Sequence, residues 1–462
     1  MKRNRYTFGI GTIGRDMMYT LLSMYLIYYL STVANIAASD LRWVITIIVG
    51  LRVFDALNDP LIGLIIDNTN SRFGRHKPWI LFGAITCGLL TVLLFWSSGL
   101  TGTAFVIFFA LNYSLWGITY SLNDVSYWSL LPTLTQDLKE RVNIGAKARI
   151  FALIGVFFVV AGIVPITNAF SQLTGSEQQG FFWFAVLIIA IMWLGQLVTV
   201  FGVKLPKDAT SQKARTSLKD TFKVIFKNDQ LLYVSMALGL FMIGYMTTTS
   251  FGLFYFQYVF GNTDMFSIFA IILGVSQVGA LLIFPFATKY LKRKQIYLIA
   301  TILVVAGYVL FFFSPTHTMV FVGISGVLIF IGQAAIQLLM LLFLADTVDY
   351  GHLKLGKRND SITFSLQPMI NKSGSAVASG IVGATVLMVG IQDAPDGYLL
   401  SGGNLMLFKI AMLVIPLVCI IIGYLIYHFK FNIDEVAYEA IITDLNKLKN
   451  AQMGGLESDE SL

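Results

Sequence analysis

Charge is scarce in this chain. Lys, Arg, Asp and Glu make up 12% of its 462 residues, while 56% are hydrophobic, and mean hydropathy is +0.75; a soluble domain carries about a quarter charged residues. Water cannot be the main solvent of such a sequence. Cysteine is nearly absent as well: Cys87 and Cys419 both fall inside apolar stretches, which excludes a disulfide frame or a thiolate metal cluster. The histidines are scattered without ligand spacing, so no metal beyond a coupling ion is expected. No nucleophile stands beside a base and no phosphate loop is present, so an enzyme is not expected. The basic start, Lys2, Arg3 and Arg5, runs into a long stretch with no small-residue cleavage site, so no cleaved signal peptide is expected.

What is present is a series of long apolar runs, among them 80–96, 151–165, 183–203 and 407–427. Several reach the roughly 20 residues that cross about 30 Å of hydrocarbon as a helix, and the whole chain reads as about twelve such spans. Lys and Arg gather in alternate connections: the N-terminus, the loop of Arg72, Arg75 and Lys77, that of Lys139 and Arg141, the segment 204–227, Lys289 to Lys294, Lys354 to Arg358, and the tail beyond Tyr427. The connections between them, near 98–103, 168–180, 261–264, 314–318 and 392–404, contain no Lys or Arg. The positive-inside rule therefore expects both termini in the cytoplasm and a multi-pass protein of the cell membrane. The net charge of +7 is explained by loops that meet anionic lipid, and no nucleic-acid partner is expected. The segmentation expected is a first bundle over 1–203, a polar middle loop over 204–228, a second bundle over 229–430 and a tail over 431–462. The tail shows a helical rhythm at Val436, Ala440, Ile441 and Leu445 before an acidic end. A short amphipathic helix followed by disorder is expected there, and it is where a cytoplasmic regulator would bind.

A charge at mid-membrane costs about 2.5 to 3.5 kcal/mol, so each one marks a functional hypothesis. Most lie in the first half: Arg15 and Asp16, then Arg52, Asp55 and Asp59 with Asn58, then Asp124 and Arg149. Asp55 and Asp59 stand one helical turn apart with Asn58 beside them, so they share a face. Such a pair holds a hard monovalent cation, or a proton, because repulsion and desolvation otherwise disfavour two carboxylates. The alternative is a packing bridge from Arg52 to Asp55, with Asp59 capping a kink at Pro60. Trp116, Tyr120, Asp124 and Trp128 follow one face of the next long span but one. A carboxylate accepts sugar hydroxyls and an aromatic face packs on a sugar's C–H face; belt or core packing is the alternative for the rings. Arg15 and Arg149 can donate to the sugar or neutralise Asp16 and Asp124. Lys372 is the deep charge of the second half, a counter-charge to the first-half acids or a side chain that snorkels.

The runs Asp55-Ala56-Leu57-Asn58-Asp59-Pro60-Leu61-Ile62-Gly63 and Ser71-Arg72-Phe73-Gly74-Arg75-His76-Lys77-Pro78-Trp79, the Arg15-Asp16 pair, the stretch from Asp124 to Arg141, and Ala345-Asp346-Thr347-Val348-Asp349-Tyr350-Gly351 leading to Gln367 and Lys372 resemble the glycoside-pentoside-hexuronide:cation symporters. This is the melibiose permease-like family of the major facilitator superfamily. The resemblance covers nearly the whole chain. It implies an all-α membrane protein, with about 12 transmembrane helices in two six-helix bundles around a central cavity. It implies a cation site at Asp55, Asn58, Asp59 and Ser121, where the family often has a Thr. The implied sugar site is Asp16, Asp124, Trp128 and Arg149, with Arg15, Trp116 and Tyr120 nearby and Lys372 and Gln367 from the second half. The loop from Gly63 to Arg75 matches the superfamily latch. Pro368 after Gln367 and Arg15 in place of a lysine are departures that argue against melibiose itself.

The expected function is thus secondary active import of a glycoside, pentoside or hexuronide, driven by Na⁺, H⁺ or Li⁺ and needing no cofactor. A carrier of an amphipathic lipid and a non-transporting sugar sensor with the same fold are the alternatives. The acids and arginines of the cavity weigh against the lipid.

Overall fold

The computed structural model describes residues 2–69, 71–96, 99–134, 138–204, 227–355, 360–395 and 397–459. Among them the chain forms twelve long helical rods and a tail helix. The rods are α1 (2–33), α2 (Ala38–Asp67), α3 (Lys77–Leu94), α4 (Gly102–Leu130), α5 (Leu138–Thr174) and α6 (Glu177–Gly202), then α7 (Asp229–Phe260), α8 (Asp264–Tyr290), α9 (Arg293–Phe313), α10 (Met319–Leu355) and α11 (Asp360–Val389), and α12 (Gly402–Lys430). The tail helix is α13 (Glu435–Asp459). Ten of the rods are long and apolar enough to cross a membrane. The other two are the rods that carry Arg15 with Asp16, and Arg52 with Asp55 and Asp59. With backbone groups satisfied inside each helix, this is the form a chain takes in lipid.

The local boundaries follow from sequence chemistry. Gly175 and Gly261 adopt left-handed φ values of +76° and +79°, which only glycine adopts without strain, and they end α5 and α7. Pro78 stands in the first turn of α3, where its missing N–H costs nothing. Pro165 lies inside α5 without ending it. The apolar run that reaches Pro165 therefore continues as helix, as proline in a membrane helix allows when neighbours take up the freed carbonyl. The tail helix continues to Asp459, beyond the rhythm that ends at Leu445, so the acidic segment extends the helix. The middle loop 204–228 falls almost wholly outside the described residues.

The chain divides into two compact units. The first holds residues 1–214 together with 246–271 and 375–412. Its helices gather round α1, which packs on α5 and α6, while α4 packs on α2 and α3. Glycine permits this closeness: a Cβ on Gly14 would run into the backbone of Met192 on α6, and one on Gly155 into the carbonyl of Ile13. Buried polar side chains tie the helices together. Gln196 Nε2 donates to the Gly11 carbonyl at 2.8 Å, Thr12 Oγ1 to that of Ala148 at 2.8 Å, Asn123 Nδ2 to that of Ile80 at 2.7 Å, and the Tyr127 hydroxyl to that of Phe8. Interhelical bonds in membranes contribute about 0.6 kcal/mol each on average.

The same unit joins chain halves at the end whose loops lack Lys and Arg. The Tyr28 hydroxyl donates to Gln257 Oε1 at 2.8 Å, and that of Tyr258 to Thr32 Oγ1 at 3.1 Å. Gly383 offers α11 as a flat surface against Ile45 of α2. The second unit holds 215–245, 272–374 and 413–462. There α9 packs on α10 and α12, and α10 on the tail helix.

Candidate functional site

The aromatic residues of α4 form a continuous ladder. Phe109 stacks on Tyr113 with ring centroids 5.5 Å apart, Tyr113 on Trp116 at 5.4 Å and Trp116 on Tyr120 at 5.2 Å, the spacing of offset-stacked rings. Tyr19 of α1 stacks on Tyr120 at 5.4 Å. Asp124 and Trp128 continue the same face by single helical turns. The helical period that picks out Trp116, Tyr120 and Trp128 also contains Phe109 and Tyr113, which sequence reasoning did not single out; Tyr19 and Tyr127 carried no such signal.

Arg15 meets the ladder at its acidic end. Its Nη2 donates to Asp16 Oδ2 at 2.9 Å, and its Nη1 lies 3.2 Å from Asp124 Oδ1. The guanidinium also covers the rings of Tyr127 and Trp128, at 4.8 and 5.0 Å. Arg149 of α5 approaches Trp128 too, with its Cζ 4.8 Å from the ring. Two cations thus meet one indole while two carboxylates pair with Arg15, and the four formal charges cancel. Cation–π contact is worth about 2 kcal/mol or more when desolvated, and a guanidinium fits it better than the compact ammonium of a lysine.

Hydrogen-bonding capacity is left over. Arg15 Nε and Trp116 Nε1 are buried and make no hydrogen bond among the described residues. Leaving a buried donor unmade costs about 1 to 3 kcal/mol; polar groups so placed are the ones a polyhydroxylated ligand satisfies. The fold thus brings Arg15, Asp16, Trp116, Tyr120, Asp124, Trp128 and Arg149 together as neighbours, on α1, α4 and α5.

For the cation residues the result is partial. Asp55, Asn58 and Asp59 share a face of α2 by register, but the side chains of Asp55 and Asp59 lie outside the described residues. Ile62 and Ile66, one and two turns beyond Asn58 on that face, pack with Leu122 of α4, next to the buried Ser121. Arg52, one turn earlier, donates from Nε to the Tyr113 hydroxyl at 3.0 Å and from Nη1 to Ser375 Oγ. Gln367 and Lys372 fall on α11 within the second unit, Lys372 buried.

Other motif residues are structural. Thr69 Oγ1 accepts from Trp79 Nε1 at 2.7 Å, and Lys77 Nζ donates to the Val203 carbonyl at 3.0 Å, where a cation complements a helix C-terminus. His76 is buried, accepts from Arg75 Nε at Nε2 at 3.1 Å, and has its Nδ1 unpartnered. Burial and the neighbouring Arg75 charge push its pKa down to about 4. In the second unit, the run from Ala345 to Gly351 acts as a set of anchors: Asp346 pairs with Arg293 at 2.6 Å, the Thr347 carbonyl accepts from Asn228 Nδ2 at 2.9 Å, Asp349 accepts from the Tyr438 hydroxyl at 2.9 Å, and Tyr350 donates to Asp229 at 3.0 Å. Among the described residues no cluster of His, Cys, Asp and Glu could hold a metal.

Comparison with known proteins identifies the family and the fold. Residues 7–435 match the model of the MFS/sugar transport protein family. The chain is 30% identical over 462 residues to the lactose permease of Leuconostoc lactis, covering 96% of this chain and 71% of that one. It is 29% identical over 461 residues to the raffinose carrier protein of Pediococcus pentosaceus, with 96% and 71% covered. The solved nucleoside transporter NupG superimposes with a TM-score of 0.60 at 16% identity, over 93% of this chain and all of that one, which supports the fold alone. The protein is a multi-pass membrane sugar transporter and not an enzyme, and it belongs to the melibiose permease-like sugar symporter family of the major facilitator superfamily.

Proposed function

We propose that the protein imports a glycoside by cation symport, with the sugar held by Arg15, Asp16, Trp116, Tyr120, Asp124, Trp128 and Arg149. The observation that carries this reading is the guanidinium of Arg15, paired with Asp16 and Asp124 over the Trp128 ring and with its Nε still unbonded beside the unbonded Trp116 indole N–H. A sugar completes it: hydroxyls donate to the carboxylates and accept from Nε and the Trp116 indole, and a C–H face rests on Trp128.

The coupling ion sits at Asp55, Asn58, Asp59 and Ser121, an oxygen-only set that suits Na⁺ and also accepts Li⁺ or a proton. Packing of the Asn58 face of α2 on α4 at Leu122 supports this, since an ion there draws α2 toward the helix that carries Asp124. Occupancy of either site then raises affinity at the other by the same factor, a coupling of about 1 to 3 kcal/mol. The loops rich in Lys and Arg face the cytoplasm, with both termini.

The test is uptake into membrane vesicles under an imposed Na⁺ or pH gradient, with lactose, raffinose, a xyloside and a glucuronide. One gradient should drive accumulation, and Asp59→Cys should abolish it while leaving the protein folded. Concentrative uptake that survives Asp59→Cys would remove the ion site from the mechanism.

A further inference from the structure

At the end of the first unit whose loops lack Lys and Arg lies a second polar cavity of about 240 Å³. Water occupies about 30 Å³ per molecule, so the cavity takes roughly one sugar ring in place of about eight waters. Ser31 and Tyr258 are buried at its floor, and Asn35 and Glu177 are exposed at its rim. Gln257, Thr263 and Tyr398 also line it. Its chemistry is hydroxyl and amide, and among the described lining residues Glu177 is the charged one and none is Lys or Arg.

The backbone holds this bowl open. Asn35 takes a left-handed φ of +46°, uncommon outside glycine and tolerated by asparagine, which turns the chain between α1 and α2. Gly261 makes the corresponding turn after α7. The Leu400 N–H donates to the Tyr258 carbonyl at 2.7 Å, which pins the segment before α12 over the end of α7.

The floor consists of replaceable bonds. Tyr258 donates to Thr32, and Tyr28, immediately below, donates to Gln257. These join α1 to α7, elements from the two halves of the chain. Hydroxyl and amide partners of this kind are those a sugar hydroxyl can substitute one for one, because it both donates and accepts.

We propose that this cavity is an entry subsite for a neutral sugar, which docks there before it reaches the Trp128 site and competes for the hydrogen bonds that close the floor. The selection is by charge: Glu177 accepts from hydroxyls and repels a carboxylate, so a hexuronate is disfavoured at this step whatever the inner site accepts. The proposal rests on the transport reading above and on its orientation.

The experiment uses the full-length protein in right-side-out vesicles, with Cys419→Ser to remove the partly exposed native thiol and Asn35→Cys to place a reporter at the rim. Thr263→Cys serves as the second reporter position if the first variant does not fold. A charged, impermeant maleimide labels the reporter, with lactose or glucuronate as the competing probe, in the Asp124 background and again with Asp124→Asn, which empties the inner site. Lactose should slow labelling several-fold in both backgrounds and glucuronate in neither. Protection by lactose only where Asp124 is intact would overturn the subsite, since the effect would then come from the inner site, and so would the absence of protection in either background. Adding Glu177→Lys should reverse the order of the two sugars; an unchanged order would refute selection by Glu177. Gradient-driven uptake by the unaltered protein is scored separately, so a failed symport reading and a failed subsite give different results.

Discussion

The two units place their ion pairs differently. In the first, Arg15, Asp16 and Asp124 lie in the middle of helices with side chains 3%, 25% and 13% exposed. In the second, Arg293 at the start of α9 pairs with the buried Asp346, whose side chain is 7% exposed, while Lys354 and Asp229 sit at helix ends and are each 42% exposed. Exposed pairs contribute about 0.2 to 1 kcal/mol, whereas removing one partner of a buried pair costs about 3 to 5 kcal/mol. The difference separates two uses of the same residue types. Charges near helix ends pin α7, α9, α10 and the tail helix to one another; the mid-helix charges of the first unit pair with each other in the cluster that we propose holds the sugar.

Breaking the buried cluster should have the largest effect. Asp124→Asn is expected to reduce sugar uptake more than a hundredfold, while Lys354→Met leaves the apparent affinity within about twofold, as an exposed pair should; vesicle uptake measures both. Next comes the packing that delivers Arg15. Gly14→Leu should abolish folded protein in a detergent-extraction and size-exclusion assay, because the α6 backbone occupies the space. Gly279→Ala should be neutral or stabilising by up to about 1 kcal/mol, since no atom lies within reach of its Cβ.

His76 tests burial at the Lys/Arg-rich end. Its pKa is lowered to about 4 in the folded chain, below the ordinary value of about 6.5. Between those values the unfolded chain binds the extra proton, so stability is complete above about pH 6.5 and falls as pH drops toward 4, by on the order of 3 kcal/mol. His76→Gln should flatten that part of a thermal-stability profile against pH. A smaller effect is expected of Tyr438→Phe, which removes one hydrogen bond from the tail helix to Asp349. It should cost about 1 kcal/mol, read as a lowered melting temperature with unchanged KM for sugar.

The helix-rich fold was legible because hydropathy and the alternation of Lys and Arg are imposed by lipid, residue by residue, without reference to the partner of any one helix. The sugar cluster was legible in part. Asp124 and Trp128 share a face by the helical period alone, and mid-membrane charge made Arg15 and Arg149 conspicuous. Tyr113 and Ser375 were not legible as partners of Arg52, because they lie 61 and 323 residues away from it in sequence. Nor was the anchoring role of Asp346 and Asp349, whose motif reads like a site and whose partners come from α9 and the tail helix.

Composition and periodicity by themselves determined that the chain forms membrane-spanning helices, which faces carry charge, and which residue types stand ready to meet a sugar or a cation. Only the tertiary structure decided which charges meet, that Arg15 retains an unbonded Nε beside Trp128, and that hydroxyl pairs close one end over a polar bowl. The physical reason is range. Hydropathy and helical period act over a turn or a span, while a hydrogen bond or an ion pair needs two groups within about 3 Å, and that proximity is set by how closely glycine lets one helix approach another.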